Sequence, residues 1–159
     1  MSISKYQKIF GVGPAGFLIS AVLVGLLWLL NRALGPVQLP ALPPWTRTAG
    51  MILIVCWICW HAWAISTIRS WWTRDRLCTT GPFRLVRHPI YAGGILLASP
   101  GVALIAKSWF LLLWPIILYS VWSLLVRKEE NMMKAVFGQQ YEQYAARTGR
   151  FVPRLSVLT

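Results

Sequence analysis

The sequence predicts an all-α, polytopic membrane protein with four transmembrane helices followed by a C-terminal cytoplasmic helix. Of its 159 residues, 57% are hydrophobic and only 13% are charged, whereas ordinary soluble domains carry about 25% charged residues. Four stretches contain no Asp, Glu, Lys or Arg, namely 9–31, 48–68, 88–106 and 108–126. Each is close to the roughly 20 residues that cross a bilayer as a helix. Because a backbone in lipid must satisfy its own hydrogen bonds, these stretches are predicted to be helical.

The predicted spans, about 12–31, 48–68, 89–106 and 109–126, belong to a single membrane domain. The first span is long for a signal peptide and no clear cleavage site follows it, so we interpret it as an anchor. Little more than Lys107 separates the last two spans, which predicts a tight helical hairpin. Pro100 and Pro115 are expected to kink these two helices. The amphipathic, charged segment 128–147 predicts a cytoplasmic helix.

Positive charge is distributed unevenly among the predicted connections. The chain has 16 Lys and Arg against 4 Asp and Glu, a formal net charge of +12. Thirteen of these cations lie before the first span, in the second connection and in the tail, and three lie elsewhere. The positive-inside rule therefore places both termini in the cytoplasm, and the inner or cytoplasmic membrane is the expected location. The cations flank spans rather than cover one folded face, which argues against a nucleic-acid partner.

Three patterns resemble known sites but lack the context that those sites need. The segment 11–16 matches G-x-G-x-x-G, but a hydrophobic span follows it instead of a soluble βαβ unit. Cys56 and Cys59 lie inside the second span, where thiolate formation is disfavoured. His61 and His88 differ in depth by about half a span, which is poor geometry for a bis-histidine haem. No metal site is predicted, and His61 remains open as a functional or a structural group.

The residues best suited to chemistry cluster at the cytoplasmic ends of the last two spans. Pro89 suits the first position of a helix, so His88 becomes the flanking cap residue and Tyr91 follows one turn later. A helix N-terminus offers free N–H groups and partial positive charge to an anionic group. Glu129 and Glu130 are two of the four acids in the chain. The predicted hairpin returns these two carboxylates to the depth of His88.

Both groups also have a purely structural interpretation. Arg84 and Arg87 follow the positive-inside rule, and Gly93 and Gly94 suit a close helix–helix contact. The paired glutamates have basic residues three or four positions away, at a spacing that favours ion pairs along a helix. The residues alone leave the structural and functional interpretations open.

A third group follows in the tail, where residues 137–147 carry the pattern Phe-Gly-x-x-Tyr-x-x-Tyr and end in an arginine. With these three groups, the chain resembles the superfamily of isoprenylcysteine carboxyl methyltransferases and phospholipid methyltransferases, which are integral membrane enzymes. The resemblance rests on the run 81–94, a hydrophobic hairpin, the paired glutamates and the tyrosine stretch. It covers about 79–153, roughly half of the chain.

The resemblance implies methyl transfer from S-adenosylmethionine to a lipophilic acceptor on the cytoplasmic face, either an isoprenyl carboxylate, a phospholipid amine or a small thiol. The cofactor-binding residues it implies are Arg87, His88, Tyr91, Gly93, Gly94, Glu129, Glu130, Tyr141 and Tyr144. Arg147 and Glu130 are the expected catalytic residues, and Arg147 is expected to orient an anionic acceptor. Aromatic faces favour a sulfonium by cation–π attraction. Methyl transfer needs little acid–base chemistry, so alignment and exclusion of water supply most of the catalysis.

The chain departs from this superfamily in length, since eukaryotic members have more than four spans. Lipid recognition by additional helices is therefore either missing or supplied by a homodimer. The first two spans carry no motif and are expected to serve as a scaffold or lipid-side wall. Two alternatives stay open: a sterol-type membrane reductase that binds a nicotinamide cofactor, and a non-catalytic haem or quinone carrier subunit.

Overall fold

The computed structural model describes residues 12–34, 43–71 and 76–154. The predicted cytoplasmic termini and Gly11 lie outside these described residues. Within them the chain is helical and forms no strand. The helices are α1 (Gly13–Ala33), α2 (Trp45–Arg69), α3 (Pro89–Gly93), α4 (Ser99–Ala106), α5 (Trp109–Leu112), α6 (Trp114–Phe137) and α7 (Gln139–Arg147). A 3₁₀ turn at Gly81–Arg84 precedes α3, and a π-helical turn at Gly94–Ala98 joins α3 to α4.

Four helical segments are long and apolar enough to cross a membrane, namely Gly13–Ala33, Trp45–Arg69, Pro89–Ala106 and Phe110–Phe137. They coincide with the four predicted spans, so the prediction of an all-α membrane protein is confirmed. Large apolar side chains cover the outer faces of these helices, and Leu18, Ile52 and Ile116 are 68%, 57% and 65% exposed. In a bilayer such side chains contact lipid rather than water.

The helix of the fourth span continues well past the predicted boundary near residue 126. Residues 127–137 contain no Gly or Pro, so α6 passes through the paired glutamates without a break. It ends at Gly138, whose φ of 49° lies in the left-handed region that favours glycine. The predicted helix 128–147 is thus divided at Gly138 between the end of α6 and α7.

The two prolines expected to kink the last spans both lie in the first turn of a helix. Pro100 is in the first turn of α4, directly after the π-helical turn, and Pro115 is in the first turn of α6. For Pro115 the missing N–H removes no intrahelical hydrogen bond, because the first N–H groups of a helix have no partner within it. Between α4 and α5 the turn is made by Lys107, whose φ is 50°.

The second span packs closely against the third. A Cβ atom on Gly50 would lie 2.7 Å from the carbonyl oxygen of Gly101, so only glycine permits this helix crossing. At the start of the third span, Trp60 donates its indole N–H to the carbonyl of Pro89 at 2.7 Å. These contacts fix the position of the third span relative to the second, and with it the position at which α3 begins.

The buried core joins the start of the third span, the fourth span and the tail. Its buried members are Val86, Ala92, Ile95, Leu118, Trp122, Val126 and Phe151. Because residues from three separated segments share this core, the start of the third span and the fourth span are held against the tail.

We predict that Gly50→Ala destabilises the protein by about 2 kcal/mol, because the added methyl group overpacks the helix crossing. Gly25→Ala is the matched control, since a Cβ atom on Gly25 has no neighbour within 4 Å and alanine favours a helix. The measurement is thermal unfolding in detergent. Equal melting temperatures for the two variants would contradict the crossing described.

Candidate functional site

The candidate site begins at the residues just before α3, which pair with the tail. The backbone N–H groups of Arg87 and His88 donate to the carbonyls of Gly149 (2.8 Å) and Arg150 (3.2 Å). His88 is the N-cap residue of α3, as expected, but its side chain makes no capping hydrogen bond. The imidazole is therefore available to the two carboxylates of α6.

Glu130 is buried and accepts hydrogen bonds from two arginines. Arg87 donates from Nε (3.0 Å) and Nη2 (2.8 Å) to Oε1. Arg150 donates from Nε to Oε1 (3.1 Å) and from Nη2 to Oε2 (2.5 Å). The imidazole Nε2 of His88 lies 3.4 Å from Oε1. One carboxylate thus neutralises charge from the second connection and from the tail.

Arg87 also holds the end of α7. Its Nη1 donates to the carbonyls of Ala145 (3.0 Å) and Thr148 (2.5 Å). Carbonyls at the end of a helix have no intrahelical partner and carry partial negative charge, so a guanidinium is stabilising there. The donors of Arg87 are therefore largely occupied by protein partners, which indicates a bracing role for this predicted cofactor-binding residue.

Glu129 has a different environment, which includes the start of the first span. Its Oε1 accepts from the backbone N–H of Val12 (2.7 Å) and from the Tyr91 hydroxyl (2.9 Å). Its Oε2 lies 3.4 Å from Nδ1 of His88. The carboxylate thus lies at the N-terminus of α1, where the helix dipole favours negative charge. None of these three partners carries a permanent positive charge.

Aromatic rings pack beside this carboxylate. Tyr91 stacks on Trp122 with ring centroids 4.0 Å apart, and on the imidazole of His88 at 5.8 Å. Phe17 of α1 makes edge contacts with Tyr91 (6.4 Å) and Trp122 (5.5 Å). Gly16 permits this packing, because a Cβ atom there would collide with the Trp122 ring. The first span, expected to be only a scaffold or wall, contributes to the site.

The carboxylates shift the protonation of the groups that face them. Burial lowers the pKa of His88, but its contacts with Glu129 and Glu130 outweigh burial and raise that pKa above its ordinary value. Burial, followed by the charge of Glu130, raises the pKa of Tyr141 to about 12. The site therefore favours a protonated imidazole and a neutral phenol.

The predicted tyrosines of α7 reach the same region by different contacts. Tyr141 is 3% exposed, and its buried hydroxyl makes no hydrogen bond to any described residue. Tyr144 donates its hydroxyl to the carbonyl of Phe83 at 2.6 Å. Tyr144 therefore fixes α7 against the 3₁₀ turn, whereas the hydroxyl of Tyr141 remains available to a ligand.

Three other predicted residues lie away from the two carboxylates. Gly93 faces the second span, and a Cβ atom on it would lie 2.7 Å from Trp60. Gly94 has open space beside it, with no atom within 4 Å of such a Cβ atom. Arg147 is exposed at the end of α7. The structure thus brings Arg87, His88, Tyr91, Glu129, Glu130 and Tyr141 together.

Sequence reasoning missed three contributors to this arrangement: Arg150, Trp122 and the backbone N–H of Val12. Arg150 lies three residues after the tyrosine stretch and 20 positions from Glu130, and no sequence pattern linked it to the paired glutamates. Trp122 is two helical turns before Glu130 on the same face of α6, a spacing visible in the sequence. The Val12 contact spans 117 positions and has no counterpart in any local pattern.

Comparisons with known proteins identify the family of the chain. The family model described as phospholipid methyltransferase matches residues 45–140. The "Probable protein-S-isoprenylcysteine O-methyltransferase" of Oryza sativa subsp. indica is 28% identical over 80 residues, which are 50% of this chain and 42% of the relative. Protein-S-isoprenylcysteine O-methyltransferase B of Arabidopsis thaliana is 26% identical over 78 residues, 49% of this chain and 40% of the relative.

A bacterial relative shares a longer segment. The nickel-cobalt-cadmium resistance protein NccN of Alcaligenes xylosoxydans xylosoxydans is 31% identical over 106 residues, 62% of this chain and 44% of the relative. The matched segments span less than half the length of each of these curated relatives. No solved structure matches the chain.

We predict that Glu130→Gln destabilises the fold by about 3 kcal/mol, because the largely buried guanidinium of Arg87 and the partly exposed one of Arg150 lose their common counter-charge. Glu142→Gln, at an exposed position of α7, is expected to change stability by less than about 0.5 kcal/mol. Thermal unfolding in detergent measures both. If Glu130→Gln melted at the wild-type temperature, the bracing role of Glu130 would be refuted.

Proposed function

The chain belongs to the phospholipid methyltransferase family, and we propose that it transfers a methyl group from S-adenosylmethionine to a lipophilic acceptor at the cytoplasmic face of a membrane. The observation that carries the proposal is the environment of Glu129. Its carboxylate is held by Val12, His88 and Tyr91 rather than by an arginine. It can therefore accept hydrogen bonds from an ammonium or hydroxyl group without first losing a guanidinium partner.

The polar groups of the site fit the groups that the cofactor offers. S-Adenosylmethionine carries an ammonium, a carboxylate, ribose hydroxyls and an adenine. Glu129 suits the ammonium or the hydroxyls, and a protonated His88 suits the carboxylate. The unpartnered hydroxyl of Tyr141 supplies one further donor. Buried polar atoms cost free energy when they lack a partner, so a polar ligand at this position would stabilise the site.

The proposed roles of the residues are binding, orientation and exclusion of water. When bound, the cofactor supplies a methyl group on an electrophilic sulfonium. The stacked rings of Tyr91 and Trp122 would form an apolar wall beside Glu129 that helps to exclude water. In-line displacement requires that the acceptor atom is held close to the methyl group. Glu130 would act by holding His88 and the tail in place. Arg147 is exposed at the end of α7, and we still predict that it orients an anionic acceptor.

The acceptor is proposed by class: an isoprenyl carboxylate, a phospholipid amine or a small thiol. The names of the plant relatives support the first class, and the name of the family supports the second. A carboxylate acceptor would require no proton removal, whereas an amine or thiol must lose one. Cytoplasmic termini, residence in the inner or cytoplasmic membrane and a homodimer remain part of the proposal. The family match favours methyl transfer over the reductase and over the haem or quinone carrier.

We predict that the protein purified in detergent binds S-adenosylhomocysteine and that Glu129→Gln weakens this binding at least about tenfold, because charge-assisted hydrogen bonds are lost. Glu142→Gln is the control and is expected to bind with wild-type affinity. Isothermal titration calorimetry measures the three affinities. Thermal unfolding of the same samples shows whether Glu129→Gln remains folded.

Two results would overturn the proposal. One is an absence of binding heat at millimolar S-adenosylhomocysteine from folded wild-type protein. The other is saturable binding of a reduced nicotinamide dinucleotide in its place, which would favour the reductase.

A further inference from the structure

The first span reaches the candidate site with a backbone group. The N–H of Val12 donates to Oε1 of Glu129 at 2.7 Å. Val12 is the N-cap residue of α1, and the first N–H groups of a helix have no partner within it. The carboxylate therefore satisfies a donor that the helix itself cannot. α1 lies outside residues 45–140, which match the family model, so that match assigns the first span no role.

The hydrogen bonds of Glu129 are divided unequally between its two oxygens. Oε1 accepts from Val12 and from the Tyr91 hydroxyl, whereas among the described residues Oε2 faces only Nδ1 of His88, at 3.4 Å. A carboxylate has about four acceptor positions, two on each oxygen. Both positions on Oε1 are therefore used, and one position on Oε2 stays open to a ligand.

The first turn of α1 also covers the Tyr91 hydroxyl, which is the second donor to Oε1. A Cβ atom on Gly13 would lie 3.5 Å from that hydroxyl oxygen, which is an ordinary contact distance. Phe17, one turn further along α1, makes edge contacts with the stacked rings of Tyr91 and Trp122. The first span thus supplies one of the two donors to Oε1 and packs against the other.

Few residues hold α1 in this position. Only three of its 21 residues are buried, namely Gly13, Gly16 and Ser20. Gly16 lies against Trp122 so closely that a Cβ atom there would collide with the ring. Near the other end of α1, Ser108 donates its hydroxyl to Oδ1 of Asn31 at 3.1 Å. The placement of Val12 beside Glu129 therefore depends on the fit of one glycine against one indole ring.

We propose that the first span is a positioning element for the cofactor, an inference that rests on the proposed function. The N–H of Val12, placed by the contact of Gly16 with Trp122, fixes Oε1 of Glu129 and so presents Oε2 to an ammonium or hydroxyl group. Val12 and Gly16 are positioning residues, because they act through Glu129. A carboxylate that is already fixed loses less conformational entropy when it binds a ligand, so the cofactor binds more tightly.

Two substitutions remove the contact between Val12 and Glu129 in different ways. Val12→Pro deletes the N–H, and the φ of Val12, −90°, is close to the value of about −65° that proline requires. Gly16→Ala adds a methyl group that collides with Trp122 and so displaces α1. Val12→Ala is compared with Val12→Pro because it keeps the N–H. Gly25→Ala is the control for Gly16→Ala, since a Cβ atom on Gly25 has no neighbour within 4 Å.

Isothermal titration calorimetry with S-adenosylhomocysteine measures the affinities in detergent, and thermal unfolding shows which variants are folded. Val12→Pro is expected to bind about tenfold more weakly than Val12→Ala, since one hydrogen bond to a charged group is lost. Gly16→Ala is expected to bind about tenfold more weakly than Gly25→Ala for the same reason. The affinity of Gly25→Ala is expected to stay within about twofold of that of the wild type.

A general disturbance of the fold is distinguished by repeating Val12→Pro in the background of Glu129→Ala. Because the N–H of Val12 acts through the carboxylate, Val12→Pro is expected to change the affinity of Glu129→Ala by less than about twofold. A disturbance that does not act through Glu129 would weaken binding by the same factor in both backgrounds.

The positioning role and the proposed function fail in different ways. Equal affinities of folded Val12→Pro and Val12→Ala would overturn the positioning role and leave cofactor binding standing. An equal loss with and without the Glu129 carboxylate would do the same. If Val12→Pro does not fold, the comparison of Gly16→Ala with Gly25→Ala decides in its place. No binding by folded wild-type protein would contradict the proposed function, and the positioning role would fall with it.

Discussion

The site depends on one buried carboxylate, that of Glu130. It accepts hydrogen bonds from Arg87, which precedes the third span, and from Arg150, which follows the last helix. Both guanidiniums are at least partly withdrawn from solvent, so loss of the shared carboxylate would leave each with an uncompensated charge. The same contacts hold His88 beside Glu129. Glu130 thus braces the site, while its neighbour Glu129 has no arginine partner and is the member of the pair that we propose binds the ligand.

Much of the fold follows from the thickness of the bilayer and from the cost of placing charge inside it. Stretches without charge that match the thickness of a bilayer predict the four spans, because charged side chains are costly there. Proximity of Glu129 to His88 was equally predictable, since a short connection at Lys107 returns the fourth span to the depth where the third begins. Such inferences need only helix rise and span length. They set the depth of a residue but not the direction of its side chain.

What the sequence could not predict depends on irregular backbone and on contacts distant in sequence. Arg150 reaches Glu130 because the tail folds back and pairs its backbone with residues 86–88, and such extended segments have no periodicity. The continuation of α6 to Phe137 was obscured by a change in polarity at residue 127, where the composition changes but the helix does not. Val12 reaches Glu129 because Gly16 lets α1 approach the Trp122 ring. This contact depends on how the two surfaces fit together, which the pattern of residue types along the chain does not predict.

The central claim is that the groups around Glu129 form a site for methyl transfer from S-adenosylmethionine. The most direct measurement places purified protein in vesicles made with membrane lipid extract and adds the cofactor with a labelled methyl group. Our account predicts that label enters the organic phase with the wild type, and that Glu129→Gln, still folded, transfers far less. If the label in the organic phase stayed at the level found with vesicles that contain no protein, the account would be contradicted for every lipid acceptor present in the extract.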